Sequence, residues 1–322
     1  MNNYNNKIII TTGDFNGIGA EITVKALNAL NIPENEIAII SSEKILEREV
    51  RLNKNYELIS VPFEGNINYG ELSKESGEFS FNSLKLACEL KPRAIVTAPV
   101  CKEALHIAGH KFNGQTEVLE KFLAHDGQKA EMLFVSNGFN VLLLTRHCAL
   151  KDIKISQDML IDKITRLSEF YKNNLHNNMP KFALCSLNPH AGEDGILGSE
   201  EHEIILPAVS LLRGSGINIT NPLPSDTLFV NAVQNYIKGE KAPYDCYIAM
   251  YHDQGLIPIK SIAAEKTVNT TIGLDIIRTS PSHGTAFDIA GKNVANYNSM
   301  AEAIKMAFCM SKEHPHSAVL HS

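Results

Sequence analysis

Three histidines stand directly after three separate apolar runs, and that placement is where chemistry is to be sought first. Run 140–145 (NVLLLT) leads into Arg146 and His147. Run 181–187 (KFALCSL) leads into Asn188-Pro189-His190-Ala191-Gly192-Glu193, and run 244–250 (YDCYIAM) into Tyr251-His252-Asp253-Gln254-Gly255. A fourth run, 93–98 (RAIVTA), leads into Pro99, Val100 and Lys102. If each run is a strand of an open α/β sheet, the loops at the carboxyl ends converge, and ligands bind there. Three imidazoles with Asp226 or Asp253 nearby suit Zn²⁺, Co²⁺ or a similar ion, whereas Mg²⁺ would draw more naturally on oxygen ligands. A single histidine so placed is more simply a hydrogen-bonded or surface residue, and both readings stand until the three are seen in space. An ion there would hold a hydroxyl oxygen as hydride leaves and then polarise the new carbonyl, with a nicotinamide as the hydride acceptor. Asp226, Asp253 and Lys260 are the candidates for moving the hydroxyl proton, with support of the metal ligands as the alternative role for the two aspartates. The other nine histidines, among them His314, His316 and His321 in the tail, lack the strand-end context.

Other segments could hold anions or a cofactor. Residues 113–117 (NGQTE) precede a helical pattern; Thr116 could cap that helix, and its free amides could take a phosphate. Lys260, Asn269 and Arg278 lie in a region otherwise poor in positive charge and could clamp a phosphate or carboxylate, Arg278 with two parallel bonds. Segment 13–19 (GDFNGIG) joins a strand to a helix, but its spacing departs from the GxGxxG fingerprint. A tight turn explains it equally well.

The elements that must position these residues alternate along the chain. Strands are expected over 7–12, 36–41, 93–98, 132–135, 140–145, 181–187 and 244–250, and helices over 18–30, 80–90, 117–124, 157–175, 200–212 and 301–311. That alternation predicts an α/β fold with a mixed, mainly parallel sheet; Asn137-Gly138 would turn one antiparallel hairpin. With 322 residues, two lobes are expected. No linker separates them, so they should interleave: residues 1–135 plus 283–322 as one lobe, and 136–282 as the other, carrying most metal and substrate residues. The net charge of −6 argues against nucleic-acid or anionic-membrane partners. No membrane span or signal-peptide pattern is visible, and a cytoplasmic protein is expected. The six cysteines include no CxxC pair and read as reduced thiols.

The motifs together resemble one family. GDFNGIGAEI (13–22), VTAPVCKEAL (96–105), FNGQTEVL (112–119), LNPHAGEDGILGSEE (187–201), PLPSDTLF (222–229), AMYHDQGLIPIK (249–260) and VNTTIGLDIIRTSPSHGTAFDIAGK (268–292) match the 4-hydroxythreonine-4-phosphate dehydrogenase (PdxA) family, in that family's order. The resemblance implies two α/β lobes around a cleft, as in isocitrate and isopropylmalate dehydrogenases. It implies a homodimer with active sites at the interface and one divalent metal per subunit (Zn, Co, Mn or Mg) shared between subunits. The family's metal histidines fall on His147, His190 and His252, and its substrate contacts on Gln115, Thr116, Lys260, Asn269 and Arg278. The implied reaction is NAD- or NADP-dependent oxidation of 4-phosphooxy-L-threonine, with loss of CO₂ to give 3-amino-2-oxopropyl phosphate, in pyridoxal phosphate biosynthesis. Segment 280–296 is similar to the adenosine loop of isopropylmalate dehydrogenases and points to His283, Gly284, Thr285, Ala286, Asp288 and Asn296 for the cofactor, although Phe287 replaces a usual proline. Gln115 stands where the family usually has histidine; it can hydrogen-bond phosphate but carries no charge. Rival readings are a sister D-threonate or D-erythronate 4-phosphate dehydrogenase, a metal-free phosphate acyltransferase on a related fold, and an inactive binding protein.

Overall fold

The computed structural model describes residues 4–312 apart from 50, 126 and 137. His314, His316, His321 and Asn137 therefore lie outside the described residues. The chain forms two compact units, one from its start to Ala130 and from Val268 onward, the other Glu131–Thr267. In chain order the strands are β1 (Ile8–Thr11), β2 (Ile37–Ser41), β3 (Glu57–Ser60) and β4 (Ala94–Thr97) in the first unit. Next come β5 (Glu131–Val135), β6 (Val141–Leu143), β7 (Lys181–Leu184), β8 (Asn218–Ile219) and β9 (Cys246–Ala249) in the second. Finally, β10 (Val268–Ile272) and β11 (Ile277–Pro281) return to the first.

Strand order in the first unit is β3-β2-β1-β4-β11-β10. All neighbours are parallel except β10 and β11, which pair antiparallel with Thr271 opposite Arg278. β1, β2 and β4 are buried at every residue, as parallel strands with covered faces must be, and so they read as unbroken apolar runs. Helix Lys74–Glu89 starts earlier than the apolar period suggests, because Ser73 caps it by accepting the Ser76 amide at 3.0 Å. Helix Asn298–Lys312 packs on β11, and the rings of Phe15, Phe63 and Phe79 cluster in the core.

Strand order in the second unit is β5-β6-β9-β7-β8. β5 and β6 form the expected antiparallel pair, with Leu133 opposite Leu142, and the other neighbours are parallel. The rings of Phe139, Phe229 and Tyr247 meet tilted or edge-on in its core.

The structure departs from the expected layout in several places, of which these bear on the site. Helices Ser225–Lys238 and His252–Ala263 fill stretches that had shown no helical period. The expected helix 200–212 opens with a π-turn, Glu201–Ile205, before Leu206–Gly214. The second crossing between units falls at 267/268 rather than 282/283, because β11 pairs with β4 and carries β10 with it. Asn269 and Arg278 consequently join Gln115 and Thr116 in the first unit, so most of the expected substrate residues lie there and not in the second, which keeps Lys260 and the three strand-end histidines.

Candidate active site

In the second unit the ends of β6 and β9 are tied together. The Leu144 amide donates to the Ala249 carbonyl (2.9 Å), and the Thr145 amide and hydroxyl both donate to that of Met250 (3.2 and 2.7 Å). This clamp sets the two following loops side by side, and the rings of His147 and His252 come within 5.9 Å, centroid to centroid. Both line a cavity of about 280 Å³ with Arg146, Cys148, Tyr251 and Asp253. Asp253 lies 2.6 Å from Nδ1 of His252. A carboxylate on one ring nitrogen fixes the tautomer and directs the other nitrogen outward, as metal-binding histidines require. At Zn–N distances of about 2.0–2.1 Å, two imidazoles on one ion have centroids roughly 5 Å apart, so this pair fits a shared ion after a small movement.

His190 is placed differently. It opens a turn in which His190, Ala191, Gly192, Glu193 and Asp194 all have φ between 43° and 81°. The left-handed region costs a non-glycine residue about 1–2 kcal/mol, so four such residues in one turn are held there by their surroundings. Among the described residues no three His, Cys, Asp or Glu side chains are gathered into a ligand set. The donors thus fit a divalent ion as a pair, His147 and His252, and His190 is not gathered with them.

Gln254 gives this end of the unit its rigidity. Its Oε1 accepts the Met250 amide (2.6 Å), and its Nε2 donates to the Ser186 carbonyl and to Ser225 Oγ (both 2.8 Å). One amide thereby joins the ends of β9 and β7 to the start of helix Ser225–Lys238. Asp226, exposed in that helix's first turn, accepts the Thr227 amide at 2.9 Å. Lys260 is exposed on helix His252–Ala263, yet local burial of its ammonium lowers its pKa from the usual lysine range.

The first unit encloses an arginine among neutral partners. Arg278 is 2% exposed, the largest side chain among those fully enclosed. Its Nε and Nη2 donate to Thr97 Oγ1 (3.1 and 2.7 Å), its Nη1 to Thr271 Oγ1 (3.1 Å) and its Nη2 to Gln115 Oε1 (3.2 Å). All of these partners are neutral, and burial pulls the guanidinium down to about 10 against the opposing field of Glu117. Thr116 Oγ1 and Asn269 Oδ1 are buried with no hydrogen-bond partner. Thr116 does not cap its helix as expected: it lies in the first turn of Gln115–Leu123, whose N-cap is Gly114. A buried cation whose hydrogen bonds all go to neutral oxygens, with the Glu117 carboxylate acting on it only through its field and the Thr116 hydroxyl left without a partner, is a place for an oxyanion.

The two segments singled out for a cofactor meet in this same unit. The Ile18 amide donates to the Thr285 carbonyl at 3.0 Å, and a Cβ on Gly17 would lie 2.9 Å from that residue. Glu21 Oε1 accepts the Ala295 amide (2.8 Å) and binds Lys25, whose ammonium also reaches the Asn293 carbonyl (2.9 Å). Ala286 has φ 44°, the His283 ring contacts the Gly284 carbonyl (3.0 Å), the Asp288 carbonyl takes Lys292 (2.7 Å), and Asn296 Oδ1 accepts the Asn298 amide (2.8 Å). Gly13, at φ 70°, is packed so closely on Pro99 that a Cβ would overlap its carbonyl. The neighbouring Asp14 is fully buried, and burial raises its carboxyl to about 6.

Comparison with known proteins decides the family. The model for the pyridoxal phosphate biosynthetic protein PdxA matches residues 7–307. The chain belongs to the PdxA family. It is 37% identical to a 4-hydroxythreonine-4-phosphate dehydrogenase from Sulfurihydrogenibium sp. (strain YO3AOP1), covering 95% of this chain and 98% of that one. It is 36% identical to a D-threonate 4-phosphate dehydrogenase from Cupriavidus necator, over 95% and 97%. The crystal structure of 4-hydroxythreonine-4-phosphate dehydrogenase from Klebsiella pneumoniae superposes with a TM-score of 0.81 at 32% identity, over 95% and 99%. The PdxA chain is therefore a dehydrogenase of mixed, mainly parallel α/β fold, and a dehydrogenase calls in general for a nicotinamide acceptor. Among its described residues no helix is long and apolar enough to cross a membrane.

Reading the sequence missed Gln254, Thr97 and Thr271 in this PdxA protein. Gln254 lies inside the quoted stretch 249–260, next to Asp253, and its position there was the available signal. Thr97 and Thr271 gave none, since threonine in a strand is ordinary.

Proposed function

We propose that this PdxA protein oxidises 4-phosphooxy-L-threonine with NAD⁺ or NADP⁺. The secondary hydroxyl carbon gives a hydride to nicotinamide and the hydroxyl gives up its proton. The resulting 2-amino-3-oxo-4-phosphooxybutanoate, a β-keto acid, loses CO₂ to leave 3-amino-2-oxopropyl phosphate. The observation that carries this reading is the buried Arg278 guanidinium, bonded only to neutral oxygens, with the unpartnered hydroxyl of Thr116 next in the chain to its partner Gln115. A phosphate monoester supplies the anionic acceptor that the guanidinium and this hydroxyl do not have.

His147 and His252 would hold a divalent ion (Zn, Co, Mn or Mg), with His190, which does not stand beside them within one chain, completing the ligand set across the homodimer; the ion would supply Lewis-acid polarisation of the hydroxyl and then of the ketone. Asp253 keeps His252 in one tautomer. Thr116, Gln115, Asn269 and Arg278 bind the phosphorylated end. Lys260, with its lowered pKa, Asp226 and Asp253 are the groups available to take the hydroxyl proton. His283, Gly284, Thr285, Ala286, Asp288 and Asn296 line the loop assigned to the cofactor, and its contact with the 13–19 turn supports that assignment. The working unit is a homodimer, and the product serves pyridoxal phosphate formation.

A second reading has a specific basis: relatives named for D-threonate 4-phosphate are as similar as those named for 4-hydroxythreonine 4-phosphate. The test is NAD(P)H formation by metal-stripped protein supplied with Zn²⁺, Co²⁺, Mn²⁺ or Mg²⁺ and either substrate. Metal-dependent turnover with 4-phosphooxy-L-threonine is expected. Turnover only with the D-threonate or D-erythronate esters moves the activity to the sister reaction, and silence with all of them overturns both readings.

A further inference from the structure

We propose that Glu201 is the positioning residue of the His190 turn. This rests on the reading of His190 as a metal ligand. The turn from His190 to Asp194 is left-handed throughout, with φ of 51°, 55°, 81°, 43° and 52°. Only one of those five residues is glycine, so the sequence of the turn does not itself favour this path. Within the turn, the Leu197 amide donates to the Gly192 carbonyl (3.1 Å) and the Ile196 amide to that of Glu193 (3.2 Å).

What holds its entrance is a carboxylate. Glu201 is 1% exposed. Its Oε1 accepts the amides of Leu187 (2.9 Å) and Asn188 (2.8 Å), the two residues just before Pro189. Its Oε2 accepts Asn188 Nδ2 (2.8 Å), and Glu200 Oε2 accepts the same nitrogen (2.7 Å). The same Oε2 packs on the middle of the turn, for a Cβ on Gly192 would lie 3.0 Å away. Glu201 thus bonds the start of the segment that carries His190 and packs against its centre. It is the first residue of the π-turn Glu201–Ile205, an irregularity frequent at functional sites. The helix that follows anchors the carboxylate through buried Ile205, Ala208 and Val209.

The full chain is tested by hydrogen–deuterium exchange over 187–198 and by Co²⁺ titration followed through its visible absorption. Glu201→Ala is expected to raise exchange in that segment at least tenfold, to weaken Co²⁺ binding at least tenfold and to change the shape of the cobalt spectrum, because one imidazole no longer reaches the ion. Glu201→Gln keeps Oε1 for the two amides but sets an NH₂ against Asn188 Nδ2, and should fall between wild type and Glu201→Ala in both readouts; it also serves if the alanine variant does not fold. Unchanged exchange in both variants overturns the proposal. Raised exchange with unchanged cobalt affinity and spectrum also overturns it, leaving Glu201 a structural residue only. If wild type itself binds no Co²⁺, the metal reading falls and takes this inference with it. If wild type binds and the variants bind identically, this inference alone fails.

Discussion

Asp14→Asn should stabilise this protein above pH 6 and have little effect below pH 4. Asp14 Oδ1 accepts the Asn16 amide at 2.9 Å, and its Oδ2 lies 3.1 Å from Ser76 Oγ, which is also 3.2 Å from the Ser73 carbonyl. A protonated carboxyl would donate to Ser76 Oγ and free that hydroxyl for Ser73, whereas a carboxylate takes the hydroxyl's only hydrogen. With burial as the largest cause, the carboxyl is raised from 3.8 to about 6. The unfolded chain therefore releases this proton at lower pH than the folded one. Across the window from 3.8 to about 6 the folded state binds more protons, so stability falls as pH rises. At about 1.4 kcal/mol per pKa unit, the destabilisation is about 3 kcal/mol once both states are ionised. Asparagine is never charged, and its NH₂ donates to Ser76 as the protonated carboxyl would. Thermal melting of both proteins from pH 4 to 7.5 is the assay. At about 2–4 °C per kcal/mol, the gap in Tm should widen by roughly 6–12 °C in favour of the asparagine variant. A constant gap, or one that widens in favour of wild type, would show that Asp14 is a carboxylate throughout and that burial does not govern it.

Three further outcomes follow from the site. Gln115 accepts from Arg278 and donates to the Ala98 carbonyl at 3.1 Å, so it offers a phosphate no charge at any pH; the ratio of wild-type KM to that of Gln115→His should therefore grow from pH 8 to pH 6, and a flat ratio would remove Gln115 from phosphate binding. Cys148 is exposed beside His147, while burial pushes Cys101 up to about 11 and Cys88 and Cys185 to about 12. Cys148 should accordingly be among the first thiols to react with a disulfide reagent, and Zn²⁺ should slow it; an unaffected rate would place the ion elsewhere. Gln254→Leu leaves the Met250 amide and the Ser186 carbonyl without this partner, at about 1–3 kcal/mol for each group, so Tm should drop by several degrees and Co²⁺ affinity with it, and an unchanged Tm would refute its tying role.

The parts of the fold legible in the sequence are those in which residue type and burial agree. β1, β2, β4, β6 and β9 are buried at every residue and consist largely of apolar side chains, so run and strand coincide. β10 (VNTTI) and β11 (IRTSP) are nearly as buried but polar. They tolerate burial because Arg278 satisfies Thr97 and Thr271, and Thr279 donates to the Ala303 carbonyl at 2.7 Å. Polarity alone does not mark such strands, and the expected lobe boundary fell past both of them. Helix His252–Ala263 was hidden by Gly255 and Pro258. Gly255 is there for packing, since a Cβ would lie 2.7 Å from the side chains of Val141 and Leu143.

The site divides along the same line. His147 and His252 could be paired from sequence because each follows a parallel strand, and β6 and β9 turned out to be neighbours. His190 also follows a strand, yet β7 continues into a turn whose path depends on contacts far along the chain. Residue types such as His, Ala, Glu and Asp favour right-handed backbone, yet 190–194 runs left-handed, and its entrance at Leu187 and Asn188 is held by Glu201, 11 residues after His190. Strand-end position therefore locates a histidine at the correct end of the sheet but does not give its direction. For the first two histidines the sheet supplies that direction; for His190 it depends on a turn whose entrance a buried carboxylate holds, and no periodicity in the sequence records it.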